Sequence, residues 1–290
     1  LFAHGKGVSY ENRWTLNNET LMNYSMPYPK PKEQQAIANF LDQKVSEIDH
    51  ILEKTRESIE EYKKYKQSLI TEAVTKGLNP DVEMKDSGIE WIGEIPKHWD
   101  ISYLNQVFYQ LKNKNKDMLE DNLLSLSYGN IIRRSINTSE GLLPENFNGY
   151  NIIDKGDIVL RLTDLQNDHT SLRVGLAKER GIITSAYITL RGTENINATY
   201  FYLYLHSFDI YKGFYGMGSG VRQGLTYSGI KYLKLLVPTE KEQKQIVDFL
   251  DNKCTEIDSL ISQKEALLSE LETYKKSLIY ECVTGKREVD

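Results

Sequence analysis

Glu33 opens the run EQQAIANFLDQKVSEIDHILEKTRESIEEYKKYKQSLITEAVT, which ends at Thr75. Glu242 opens a second run, EQKQIVDFLDNKCTEIDSLISQKEALLSELETYKKSLIYECVT, which ends at Thr284. The two align without a gap at an offset of 209, and 19 of the 43 positions are identical, among them Glu33/Glu242, Phe40/Phe249, Asp42/Asp251, Asp49/Asp258, Tyr65/Tyr274 and Ser68/Ser277. An internal repeat sets the architecture, and this spacing is that of a whole domain rather than of a solenoid. Neither copy holds Gly or Pro, so each reads as one helix of about 65 Å. Apolar or long-stemmed residues recur at Ile37, Leu41, Lys44, Ile48, Ile51, Thr55, Ile59, Tyr62, Lys66, Leu69 and Ala73. The second copy repeats them from Ile246 through Leu250, Lys253, Ile257, Leu260, Lys264, Leu268, Leu271, Lys275 and Leu278 to Cys282. That is a heptad seam with one stutter. A helix so long with a single apolar stripe needs a partner, and the simplest partner is the other copy. Taken alone, the periodicity fits equally a generic coiled coil that only dimerises.

Prolines precede each helix (Pro29 and Pro31; Pro238), and strand-like runs precede the prolines (Tyr24–Tyr28; Leu233–Val237). Each helix therefore emerges from a β-rich region. Gly7, Arg13 and Leu16 match Gly216, Arg222 and Leu225 at the same offset, so residues 1–28 read as the tail of a preceding domain.

The 290 residues suit about two domains. No apolar run approaches the length of a membrane span, and no signal-peptide pattern opens the chain. Its first residue, Leu1, fits a truncated chain or an alternative start. Cys254 and Cys282 lie 28 residues apart on one helix, about 40 Å, too far for a disulfide. A reduced, cytoplasmic protein is the expectation. The net charge of −5 is unevenly spread. Residues 33–76 carry 7 basic and 9 acidic side chains, residues 240–284 carry 6 and 10, and residues 173–234 carry 8 and 3. Acidity belongs to the helices, and a basic surface lies between them.

Thr75-Lys76-Gly77-Leu78-Asn79-Pro80 ends the first helix with a glycine cap and a following proline. The polar linker that leads to Trp91 and Trp99 is expected to pack on the next domain, since a solvated linker has little use for two tryptophans. Beyond it, Val107–Leu111 reads as a short helix or strand. Leu123–Tyr128 and Asn130–Arg134 read as strands about Gly129. Ile158–Leu162 and Ile182–Leu190 read as strands, and Thr199–Leu205 begins a helix. The sheet is expected to be mostly antiparallel or mixed.

No catalytic constellation emerges. The glycine-rich run Gly213–Gly224 lacks a P-loop or dinucleotide fingerprint. Pro80-Asp81, Glu83 and Lys85 mimic a nuclease set but fall within six linker residues, whereas such a site draws carboxylates from neighbouring strands around a metal. His4, His50, His98, His169 and His206 form no ligand spacing, and no metal site is expected. Ser185 is not in a nucleophile elbow.

The order of parts resembles a known family. A remnant domain and a helix opening with Glu-Gln are followed by KDSGIEWIGEIPKHW (Lys85–Trp99). Then come a variable domain containing Gly181-Ile-Ile-Thr-Ser-Ala-Tyr187 and Gly218-Ser-Gly220, the run Ile230–Pro238, and a second helix opening at Glu242-Gln243. This is similar to the DNA specificity subunit of type I restriction–modification systems, over nearly the whole chain. The resemblance implies an α+β fold: a mixed α/β target-recognition domain flanked by two long helices pairing as an antiparallel coiled coil. It divides the chain into residues 1–28, a remnant of a preceding target-recognition domain; 29–77, the first spacer helix; 78–239, a target-recognition domain including linker 78–99; and 240–290, the second spacer helix. It further implies a non-catalytic subunit that reads one half of a split site in double-stranded DNA. Methyltransferase subunits would dock on its helices, and a motor–nuclease subunit would act beside them. S-adenosylmethionine, ATP and Mg would reside on those partners, with no cofactor in this chain. Only one recognition domain is complete, so two chains can pair through their helices as a self-dimer. The competing readings are a silent recombination cassette and a coiled-coil scaffold whose domain binds protein.

Residue type and placement, not the family, suggest the DNA contacts. Arg133, Arg134, Arg161, Arg173, Lys178, Lys212 and Arg222 are candidates for phosphate or base contact, and Gln166, Asn167 and Gln223 for base-edge reading. Tyr128 and Tyr187 fit either a nucleic-acid contact or the core.

Overall fold

The structure, a computed structural model, describes residues 18, 22–135, 146–165, 172–194, 196–217 and 224–289. In chain order its main elements are α1 (Pro31–Lys76), β1 (Met84–Asp86), β2 (Glu94–Pro96), β3 (Asp100–Tyr103), α2 (Leu104–Val107), β4 (Phe108–Gln110), β5 (Leu124–Ser127), β6 (Asn130–Arg133), β7 (Asn151–Ile153), β8 (Ile158–Leu160), β9 (Val174–Leu176), β10 (Gly181–Ile183), β11 (Ile188–Gly192), α3 (Ala198–Ile210), α4 (Tyr227–Ile230), β12 (Lys234–Val237) and α5 (Glu240–Val283). The chain forms two compact units, one from residues 1–61 with 260–290 and one from residues 62–259.

In the first unit the early part of α1 lies along the late part of α5. Ile48 and Leu52 pack against Leu278 and Cys282, with Phe40, Leu41, Leu268 and Leu271 around them. Asp49 accepts from Lys275 at 2.6 Å, and Arg56 donates to Glu272 at 2.7 Å. Residue numbers rise along one helix as they fall along the other, so the helices run antiparallel. The seam departs from the expected register at Ile51 and Leu260, and also at Lys253, which is exposed beside the half-buried Cys254. Ile51 and Leu260 are exposed, while their neighbours Leu52 and Ile261 are buried. The stutter in α1 therefore falls one heptad earlier than the periodicity suggests, giving the buried sequence Ile48, Leu52, Thr55, Ile59. Tyr24–Tyr28, expected as a strand, has no regular secondary structure.

In the second unit, Lys66 of α1 donates to Asp258 of α5 at 2.6 Å. The repeat offset turns this pair into Asp49–Lys275 with the roles exchanged. The start of α5 is closed by a capping box. Thr239 Oγ1 donates to Glu242 Oε2 at 2.7 Å, the Glu242 N–H donates back to Thr239 Oγ1 at 3.3 Å, and the Thr239 N–H reaches Glu242 Oε2 at 3.3 Å. The other carboxylate oxygen holds the linker, with His98 Nε2 at 2.7 Å and Trp99 Nε1–H at 3.2 Å. Burial works to raise the Glu242 carboxyl. Hydrogen bonds from His98, Thr239 and Trp99 outweigh it and hold the group below its ordinary range. Gln243, only 2 % exposed, donates to Pro238 O at 2.9 Å and accepts from the Asn197 N–H at 2.9 Å.

The linker is more structured than its polarity suggests. It folds as the antiparallel hairpin β1–β2, with Met84 opposite Pro96 and Asp86 opposite Glu94. Between the strands, Trp91 lies 5.6 Å from the rings of Tyr204, Phe208 and Tyr211. Trp99 is 1 % exposed in the main core, as the two tryptophans predict.

The strand pairs are antiparallel. The largest sheet runs β4-β11-β8-β9, and the remaining strands pair as β10-β7, β12-β3, β5-β6 and β1-β2. A single parallel bridge joins Leu123 to Ile182. The expected strand Ile182–Leu190 is two strands in different sheets. Thr184–Tyr187 turns between them, with the Tyr187 N–H on Thr184 O at 3.2 Å and the Ala186 N–H on Thr184 Oγ1 at 3.3 Å. Both neighbouring runs, Ile182-Ile183 and Ile188-Leu190, are apolar, so hydrophobicity alone hid the break. Val107–Leu111 holds both expected forms, since α2 ends where β4 begins. Helix α3 is capped by Asn197, whose side chain accepts from Thr199 and Tyr200 N–H. It buries Tyr200, Phe201, Tyr204, Leu205 and Phe208, one stripe of a 3.6-residue period.

Candidate nucleic-acid interface

The hairpin β5–β6 is joined by two residues, since Ser127 faces Asn130. Tyr128 (φ 45°) and Gly129 (φ 79°) both lie in the left-handed region, as a primed two-residue turn requires. Glycine takes that conformation freely. Tyrosine does not, and the strain is on the order of 1–3 kcal/mol. Packing does not repay it, because Tyr128 is 70 % exposed. An exposed aromatic held in a strained conformation at a loop tip points to a function for the ring.

Opposite residues of an antiparallel pair share a face. Leu124, Leu126 and Ile131 therefore face inward, and Ser125, Ser127, Asn130 and Ile132 face outward. Leu124, Leu126 and Ile131 join a core cluster with Val159 and Ile183. The inner face sits tightly on β9 at Gly175. A Cβ there would lie 2.5 Å from a Leu126 methyl and 2.9 Å from one of Ile131, so both side chains would have to shift to admit one.

Beside the hairpin's outer face opens a cleft of about 500 Å³. Ser125, Ser127 and Tyr128 form one side. Arg134 and Arg161 bring positive charge, and the turn after β10 supplies Thr184 and Tyr187. Hydroxyls, guanidinium groups and aromatic rings in one polar depression match the requirements of nucleic acid. Guanidinium groups answer phosphate and guanine, hydroxyls answer base edges, and rings answer sugars or bases.

The structure separates the candidate basic residues. Arg134 is exposed on the cleft, and its guanidinium has no ion-pair or hydrogen-bond partner among the described residues. Arg133, its neighbour on the other face, is engaged. Its Nε donates to both Glu179 oxygens at 2.7 and 3.0 Å, and its Nη2 contacts the same carboxylate. The pairing holds the Glu179 carboxyl below its usual range. Lys178 is exposed on the turn after β9. Lys212 is exposed after α3, with its ammonium 4.8 Å from the centre of the Tyr215 ring.

Arg173 is a correction to the residue-type reading. It is 0 % exposed and points inward. Its Nη1 donates to Arg161 O and Thr163 O at 3.1 and 2.8 Å, Nη2 to Asp164 O at 3.3 Å, and Nε to the Tyr215 hydroxyl at 3.1 Å. A guanidinium spread over the carbonyls of Arg161, Thr163 and Asp164 shapes the exit of β8, from which Arg161 and Thr163 line the cleft. Arg173 thus positions the cleft wall instead of meeting a ligand. The Leu225 N–H donates to Leu162 O at 2.8 Å, anchoring the chain after Gln223 at the same exit. Gln166, Asn167, Arg222 and Gln223, with the run Gly218–Gly220, lie outside the described residues.

The residue-type reading missed the small polar residues Ser125, Ser127, Asn130 and Thr184. The alternation in LSLSYGNII carried the signal, because it puts the serines on the face away from the buried Leu124 and Leu126. Among the described residues, no group of three or more His, Cys, Asp or Glu side chains could hold a metal ion, and no helix is long and apolar enough to cross a membrane.

Two curated relatives from Methanocaldococcus jannaschii are similar to this chain over most of its length. The type I restriction enzyme MjaX specificity subunit is 24% identical over 289 residues, covering 96% of this chain and 63% of the relative. The type I restriction enzyme MjaVIII specificity subunit is 26% identical over 288 residues, covering 94% and 64%. The chain therefore spans somewhat under two thirds of these relatives' length. In fold it is similar to the HsdS subunit from Thermoanaerobacter tengcongensis, with a TM-score of 0.55 at 14% identity over 98% of this chain and 66% of that one. A chain solved in work on complex assembly and conformational transition of the type I R-M system gives a TM-score of 0.66 at 14% identity, over 97% and 66%. The family model described as the type I restriction modification DNA specificity domain matches residues 96–272, which takes in the hairpin, the cleft and the wall that Arg173 holds. That match covers more than half of the sequence, and the chain belongs to this family of DNA specificity domains.

Proposed function

We propose that this chain is the non-catalytic specificity subunit of a type I restriction–modification complex. It reads one half of a split site in duplex DNA. The observation that carries this reading is the cleft, where the exposed Arg134, Arg161, two tyrosines and a row of hydroxyls converge inside the span that matches the family. Methyltransferase subunits, and with them a motor–nuclease subunit, dock on the long helices and supply the chemistry. The test is a titration of duplex DNA with the chain assembled on its methyltransferase subunits, at several salt concentrations. Each phosphate neutralised releases counterions, so log K should fall linearly with log salt. Sequencing of methylated sites should reveal one new motif. Binding indifferent to salt, with no new motif, would leave the scaffold reading in its place.

The two helix starts support a second element, pairing of two readers. Gln34 donates to Pro29 O at 2.7 Å, and Gln243 donates to Pro238 O at 2.9 Å, the same bond at the repeat offset. At α5 that start holds a domain through Glu242 and Gln243. At α1 the matching Glu33 and Gln34 are exposed. The α1 start thus offers a seat for a second reading domain, which another copy of the chain can supply. A palindromic split motif, with a mass showing two copies per assembly, is the expected result. An asymmetric motif would assign the seat to a different reader.

A further inference from the structure

We propose that the hairpin β5–β6 is the base-reading ribbon of this domain. Its outer face, Ser125, Ser127, Asn130 and Ile132, enters the major groove, and Tyr128 leads at the tip. This rests on the DNA-reading function proposed above and names the element that confers specificity.

Three features of the hairpin carry the assignment. The first is shape: a two-stranded ribbon fits a major groove about 12 Å wide, and this one is tied down on a single face by Gly175, Leu126 and Ile131, with Asn130 and Ile132 exposed on the other. The second is chemistry. Cross-strand pairing sets Ser125 beside Ile132 and Ser127 beside Asn130. An amide can bond an adenine edge through both of its groups, hydroxyls serve either base class, and the exposed, branched Ile132 suits a thymine methyl. The third is charge at the root of the ribbon. Arg133 and Arg180 are engaged with carboxylates, Arg133 with Glu179 and Arg180 with Glu120 and Asp154. Arg134 is left directed at the cleft for a phosphate or a guanine. The strained Tyr128 belongs to the same assignment, because a tip residue that meets DNA repays there what the turn costs.

The experiment expresses the chain with its methyltransferase subunits and sequences the methylated sites for wild type, Asn130→Ala, Ile132→Ala and Tyr128→Asn. Asn130→Ala and Ile132→Ala should each relax one position of the motif, with about 5- to 150-fold lost discrimination there and the other positions kept. Tyr128→Asn should raise the melting temperature of the purified complex, because asparagine tolerates the left-handed turn, while lowering affinity for the specific site. An unchanged motif in both alanine variants would overturn the ribbon assignment. So would an equal loss at every position, with melting temperatures unchanged, since that marks a sequence-independent contact. A wild-type complex without any sequence motif would instead sink the DNA-reading function, and the ribbon with it.

Discussion

The two ends that begin the repeated helices are nearly the same sequence in different surroundings. At α5, Glu242 closes a capping box and grips His98 and Trp99, and Gln243 is buried between Asn197 and Pro238. At α1, Glu33 and Gln34 stand in solvent, and Gln34 keeps two bonds at the repeat offset, its side chain to Pro29 O and its N–H to Lys30 O. The difference teaches that the helix start is self-contained in its backbone geometry. The capping box is absent at α1 because Lys30 stands where α5 has Thr239, and the bonds that α5 makes to His98, Trp99 and Asn197 need a domain seated on the helix start.

The sharpest way to break this comparison is to remove what is seated. Trp99→Ala should cost about 3–5 kcal/mol, as large aromatic truncations in a core do. Tyr28→Ala, at the other start and 86 % exposed, should stay within about 0.5 kcal/mol. Urea unfolding of the two variants checks both values. Next in size, Gln243→Ala strands the Asn197 N–H and should cost about 1–3 kcal/mol, against a few tenths for Gln34→Ala. Equal costs would mean that both starts are seated.

Acid offers a third contrast. The Glu242 carboxyl titrates lower in the folded chain than in the unfolded one. Its contribution is therefore complete above the unfolded value near 4.5 and is lost as pH falls through the lower folded value. Melting temperatures between pH 6 and pH 3 should fall more steeply for wild type than for Glu242→Gln. Parallel curves would remove Glu242 from the account. The smallest effect belongs to the exchanged ion pairs. Lys66–Asp258 and Lys275–Asp49 join exposed aspartates, so double-mutant cycles should give about 0.2–1 kcal/mol for each. Similar values would show that the repeat preserves the energy as well as the geometry.

The helices were legible because a 46-residue helix offers many turns over which to average a periodicity. The seam slipped at Ile51-Leu52 and Leu260-Ile261, where two adjacent apolar residues leave period-counting indifferent between them. The hairpin β5–β6 was legible from its alternation and from Gly129. The hairpin β1–β2 was not, because strands of three residues are too short for an alternation to show. Arg173 was misread for a related reason. Sequence gives the charge of a guanidinium, but its burial depends on carbonyls of Arg161, Thr163 and Asp164 converging from 9 to 12 residues away. Burial of that kind is a property of the folded backbone and leaves no local pattern.

The tight seating of the hairpin on Gly175 has an evolutionary consequence. The inward residues are committed to the sheet, and a one-residue insertion would turn each of them out and each serine in. Point substitution on the outward side carries no such penalty. A lineage carrying this ribbon can therefore explore new outward side chains one at a time, on a foundation that does not move.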